Sequence, residues 1–129
     1  MQPTAVRCAA IGGLDPTAAP GVVLLVTGDL DLREVTARVL RQEGYHVLMA
    51  SHAGHAVLKS LQASRVDVAL IEMSMDDVSG PALADRLRRQ NPNLRAVYFA
   101  RPGTVECAGV LVRPFTREEL LAQLTLTLA

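Results

Sequence analysis

From Gly21 onward the chain alternates between short apolar runs and longer stretches in which apolar residues recur every three or four positions. Val22-Val23-Leu24-Leu25-Val26 is apolar throughout and rich in β-branched residues, which predicts a strand buried on both faces. Leu32, Val35, Thr36, Val39 and Leu40 then recur at helical spacing. Asp29 and Asp31 stand where carboxylates favour the start of that helix, and Gly44 suits the left-handed residue just past its end. The pattern continues with a strand over 45–50 and a helix over 52–63, with Val57, Leu58 and Leu61 inward. A strand over 67–72 ends in an acid and leads to a helix over 81–90 with Leu83 and Leu87 on one face, closed by Asn91-Pro92. Strands follow over 95–100 and 109–112. Thr116 opens the last helix with a capping box to Glu119, and Leu120, Leu121, Leu124 and Leu128 form its stripe.

Five strands alternating with helices specify an α/β fold: a five-stranded parallel sheet with helices on both faces, because parallel strands need right-handed crossovers. A Rossmann unit of two full halves needs a longer chain. The interval 101–108 between the last two strands is abnormal. It is punctuated by Pro102 and Gly103 and is shorter than the dozen residues a crossover usually takes, so the fourth helix is expected to be shortened or missing. Residues 1–20, rich in Ala, Gly, Pro and Thr without a period, read as a flexible leader ahead of a domain over 21–129. Gly12-Gly13 lacks the strand before it and the helix after it that a dinucleotide loop requires.

At 129 residues the chain has the size of one domain, and a hydrophobic share of 50% suits a packed core. The 13 basic residues balance the 13 acidic ones. A neutral chain offers no field to hold nucleic acid or an anionic membrane, so neither is expected as a partner. Cys8 and Cys107 read as free thiols of a reducing compartment. The early residues have no continuous apolar targeting segment, which points to a cytoplasmic protein.

Three stretches carry a resemblance. They are Leu24-Leu25-Val26 with Asp31-Leu32-Arg33 and Glu43-Gly44-Tyr45; 67–75 with Ser79-Gly80-Pro81; and 113–121, beginning Arg113-Pro114-Phe115. Together they resemble the receiver domain of two-component response regulators over about residues 21–128. Residues 80–87 are similar to the receivers of hybrid sensor kinases. The resemblance implies a flavodoxin-like sheet of strand order 2-1-3-4-5, with its functional edge at the carboxyl ends of the strands.

An active receiver accepts a phosphoryl group from a histidine on an aspartate, by charge neutralisation and positioning. By the resemblance, the phosphoacceptor position holds Glu72, whose extra methylene moves the carboxylate by about an ångström, an error that matters for in-line transfer. The acidic pair that would hold Mg²⁺ falls on Thr27 and Gly28, with Asp29 next; a hydroxyl and a glycine do not supply carboxylate oxygens. Asp29 reads first as a helix-start acid. The switch positions fall on Ala100, which lacks the hydroxyl, and Val110, which lacks the aromatic ring. The lysine position holds Arg113, able to pair with Glu72 as a fixed salt bridge, and a cis bond is expected before Pro114. The implied function is a receiver-like signalling module that is not an enzyme, holds no metal or cofactor and works by protein contact. An active receiver using Glu72, or a small-ligand or flavin-binding protein of the same fold, is the alternative.

Tyr98, Phe99, Val110 and Val112 lie on two apolar strands that the short crossover covers poorly, which suggests a surface for a kinase, an output domain or a second copy. His46, His52 and His55 read as exposed polar residues and not a zinc site. Arg86, Arg88, Arg89 and Arg95 read as a solvated face. Asp76-Asp77 adds charge near Glu72 without a role that the sequence reveals.

Overall fold

A computed structural model describes residues 21–75, 78–103 and 109–128. The expected flexible leader, Cys8, Cys107, Asp76 and Asp77 lie outside the described residues. In chain order the elements are β1 (Val22–Val26), α1 (Leu30–Gln42), β2 (His46–Ala50), α2 (Ala53–Gln62), β3 (Val68–Glu72), α3 (Gly80–Arg88), β4 (Arg95–Ala100), β5 (Val110–Val112) and α4 (Arg117–Leu128). All strand pairs are parallel, and the order across the sheet is β2-β1-β3-β4-β5. This is the flavodoxin-like arrangement expected from the sequence. No helix falls between β4 and β5 among the described residues; the middle of that crossover, 104–108, lies outside them.

The strands are apolar on both faces because both faces are covered. Alternate residues Val23, Leu25, Val68, Leu70, Val97, Phe99 and Leu111 pack on one side against Ala37 and Leu40 of α1 and Leu120 and Leu124 of α4. Their neighbours Leu24, Val26, Ala69 and Ile71 pack on the other side against Ala53 and Ala56 of α2 and Leu83, Ala84 and Leu87 of α3. Local chemistry fixes the helix ends. The Asp29 carboxylate accepts from the Leu32 amide at 3.1 Å and caps α1. Thr116 and Glu119 form the reciprocal capping box, at 2.8 and 3.0 Å. Gly44 takes its expected left-handed conformation, with φ 93°.

Three inward assignments change. Val35 is 56% exposed, and on α2 it is Leu58 and Leu61, at 51% and 60%, that face outward. Ala53, Ala56 and Ser60 are the buried residues of α2. Small residues bring that helix close to the sheet, and Asn91 donates to the Ser60 hydroxyl at 2.9 Å, so the polar group goes inside with its partner. Phe99, expected on a partner surface, is a further correction. It is 1% exposed and stacks on Phe115 with ring centroids 5.5 Å apart, because its register in β4 points it under α4. Tyr98, Val110 and Val112, on the opposite face, are half-buried.

Burial raises the ionisation of both tyrosines above the ordinary value of 10.0. Desolvation is the main cause, reinforced by Glu43 at Tyr45 and, at Tyr98, by Asp85 against an opposing effect of Arg88. The folded protein therefore holds these protons longer than the unfolded chain. The associated stability is intact below pH about 10 and is lost as the pH climbs through the raised folded values. The chain has two tyrosines and no tryptophan, so ultraviolet phenolate absorbance should titrate later in native protein than in denaturant; coincident curves would contradict this.

Candidate functional site

Parallel strands end on the same side, so the residues that follow them share one edge of the sheet. In-register pairing places Val26 beside Ala50 and Ile71, Glu72 beside Phe99, and Ala100 beside Val112. The next residues along the chain, Thr27, Ser51, Met73, Arg101 and Arg113, form the rim. Backbone bonds hold it: Thr27 donates to the Ala50 carbonyl at 3.1 Å, Met73 to Phe99 at 2.9 Å and Arg113 to Ala100 at 2.9 Å.

Glu72 is the centre. Its side chain is 17% exposed and each carboxylate oxygen has a partner. The Thr27 hydroxyl donates to Oε1, and Arg113 Nη2 donates to Oε2 at 3.1 Å. The same guanidinium reaches Asp29 Oδ2 through Nη1 at 3.5 Å. Thr27 is fully buried, and its Oγ1 also accepts from the Asp29 amide at 3.1 Å. One network thus joins the β1–α1 loop, the tip of β3 and the residue after β5. Asp29 has both the helix-capping role expected of it and an ion pair with Arg113 that its sequence position did not reveal.

Gly28 lines a cleft of about 450 Å³ with Ser51, His52, Glu72 and Arg101. Ala100 lines a smaller one of about 160 Å³ with Glu72, Ser74, Arg101 and Arg113. Pro114, whose bond to Arg113 is cis as expected, lines an apolar groove of about 590 Å³ with Leu32, Val35 and Phe115. Val110 sits apart, in the first register position of β5 opposite Tyr98. The backbone of β3 is closely approached beside the site: a Cβ on Gly80 would lie 2.5 Å from the Glu72 carbonyl oxygen, so only glycine fits there.

Sequence reasoning missed Arg33 and Arg101. Arg33 Nη1 donates to the Thr27 carbonyl at 3.1 Å and clamps the β1–α1 loop from the first turn of α1. The i, i+6 separation carries no recognisable signal, since it depends on how the loop folds back. Arg101 follows the last residue of β4, and among the described residues no carboxylate pairs with it. His52 is exposed as expected, and its Nδ1 accepts from the His55 amide at 3.2 Å as the cap of α2. Arg88 pairs with Asp85 at 3.3 Å, while Arg95 stands elsewhere, donating to the Thr127 carbonyl, so the four arginines are not one face.

A doubly wound parallel sheet with a charged cluster at its carboxyl edge defines the flavodoxin-like class of signalling and nucleotide folds. The response regulator receiver domain model matches residues 23–125, and the chain belongs to that family of two-component signalling. It is 28% identical over 114 residues to the probable transcriptional regulatory protein TcrX of Mycobacterium tuberculosis, an alignment covering 81% of this chain and 48% of TcrX. The chain thus spans about half the length of that relative. The receiver domain of the hybrid histidine kinase CckA superposes with a TM-score of 0.73 at 25% identity, covering 84% of this chain and all of that one. The Vibrio cholerae chemotaxis protein CheY4 superposes with a TM-score of 0.74 at 24% identity, covering 83% and 98%. Among the described residues no helix is long and apolar enough to cross a membrane.

The family's chemistry calls on Mg²⁺, a hard cation that takes oxygen ligands in near-octahedral array. The donor set here does not fit it. Gly28 has no side chain, the Thr27 hydroxyl is committed to Glu72, and Glu72 and Asp29, the carboxylates in this network among the described residues, are already paired with Arg113. No three His, Cys, Asp or Glu side chains cluster as cation ligands among the described residues.

Thr27→Val keeps the shape of the buried residue and removes its hydroxyl, leaving Glu72 Oε1 and the Asp29 amide without this partner. We expect it to destabilise the fold by about 1–3 kcal/mol in urea unfolding. A value indistinguishable from wild type would show that the hydroxyl contributes nothing.

Proposed function

We propose that this chain is a receiver module that has given up phosphoryl transfer and acts by protein contact, as a non-enzymatic part of a cytoplasmic signalling pathway. The observation that carries the reading is the state of Glu72: both of its oxygens are engaged from within the chain, by Thr27 and by Arg113. A nucleophilic carboxylate needs an oxygen free to attack phosphorus, a metal to gather the incoming charge and donors for the equatorial oxygens. The Ala100 side chain donates nothing, and the guanidinium that could serve is spent on neutralising Glu72.

With a small phosphodonor such as acetyl phosphate and Mg²⁺, intact-mass measurement should show no gain of a phosphoryl group, in wild type or in Glu72→Gln. An acid-labile, base-labile adduct on the wild type alone would sink the reading.

The contact surface we assign is the half-buried strip of Tyr98, Val110 and Val112, with Phe99 beneath it as core. All three lie on the sheet face away from α4, beside the short crossover. Its partner class is another signalling protein, a kinase or an output domain, or a second copy of this chain. Val110→Asp puts a charge on the strip without touching the β4–β5 backbone pairing. It should reduce partner capture from the native host at least tenfold while leaving circular dichroism unchanged; undiminished capture by the folded variant would remove the strip from the interface.

A further inference from the structure

Arg113 does more than occupy the lysine position. Its two terminal nitrogens address two different carboxylates: Nη2 on Glu72 at the tip of β3, and Nη1 on Asp29 in the β1–α1 loop. Those are the segments that a divalent ion would draw together in a receiver. A planar guanidinium can bridge two carboxylates with directed hydrogen bonds, which a lysine ammonium does only as a point charge. Arg113 is itself three-quarters buried and is anchored through its amide to Ala100. Thr27 braces the same pair from below, donating to Glu72 and accepting from the Asp29 amide. Arg101 adds a second positive charge to the clefts on either side of Glu72, where a metal cation would have to approach.

We propose that Arg113 is a built-in counter-cation: it takes over, within one chain, the bridging that a dissociable divalent ion performs, and so makes the site's closed arrangement independent of metal. The inference rests on the reading that the site does not undergo phosphoryl transfer, and it adds that the arrangement is permanently set. An ion that binds and leaves can switch a loop; a covalently attached cation holds it in one state.

The experiment follows thermal unfolding of the full chain in EDTA and in millimolar Mn²⁺, for wild type, Arg113→Gln, Glu72→Gln and the double variant. Wild type should melt at the same temperature with and without Mn²⁺. Arg113→Gln should melt several degrees lower in EDTA, because Glu72 and Asp29 lose their shared partner, and should recover part of that loss in Mn²⁺. Glu72→Gln should abolish the recovery, and the double variant should melt higher than the sum of the two single losses allows. Arg113→Lys serves if Arg113→Gln does not fold, with the same partial rescue expected. Strictly additive losses, or a Mn²⁺ response of wild type equal to that of the variants, would overturn the proposal. A phosphoryl adduct on wild type would instead overturn the functional reading on which it rests, so the two failures are separable.

Discussion

The pairing of Glu72 with Arg113 is the interaction on which the carboxyl edge of this sheet depends. A carboxylate at the end of a central parallel strand is drawn partly out of water by the loops around it, and a charge so placed must be compensated. Here the compensation comes from the same chain: a guanidinium on one oxygen and a buried hydroxyl on the other. The arrangement is neither an exposed ion pair, which contributes little, nor a deeply buried one, whose desolvation often exceeds its attraction. Its value is positional. It joins three loops that the sheet brings near one another but does not by itself fasten.

The sheet makes that possible through a constraint of its own. Parallel strands cannot pair through tight turns, so each crossover returns the chain to the same starting edge, and five strand ends arrive together at the other. Glu72, Ala100 and Arg113 are well separated along the chain yet share one rim because Val26, Ile71, Tyr98 and Val110 are locked in register beneath them. The two core layers then fix the register. A slip by one residue would send Phe99 out of the α4 side and Tyr98 into it, exchanging a stacked, buried ring for a phenol.

In a family whose members respond to a transferred phosphoryl group, a site that neutralises its own acid internally is suited to a different kind of signal. Thr27, Gly28 and Ala100 carry no carboxylate at this edge, and Glu72 and Asp29 are both paired with Arg113. The proposed contact role accords with a half-buried apolar strip on β4 and β5 in a chain with no net charge.

Much of this was legible from residue order alone. Apolar runs at 22–26 and 68–71, stripes at helical spacing, the Asp29 cap and the Thr116–Glu119 box all encode their structure through local rules of burial and hydrogen bonding, so each element appeared where the pattern put it. Thr27, Gly28, Glu72, Ala100 and Arg113 were singled out through the resemblance, and the fold brings Thr27, Glu72 and Arg113 into one hydrogen-bonded network at the strand tips. Which face of α2 turns inward was decided by tertiary packing: hydrophobicity favoured Leu58 and Leu61, but close approach to the sheet selects the smaller Ala53, Ala56 and Ser60. Phe99 was claimed by the core for the same kind of reason, since an apolar strand does not say which of its two faces is more deeply covered. The second reach of Arg113 to Asp29, and the clamp of Arg33 on Thr27, belong wholly to the folded molecule, because directed bonds between side chains distant in sequence exist only once the backbone has set their distance and angle.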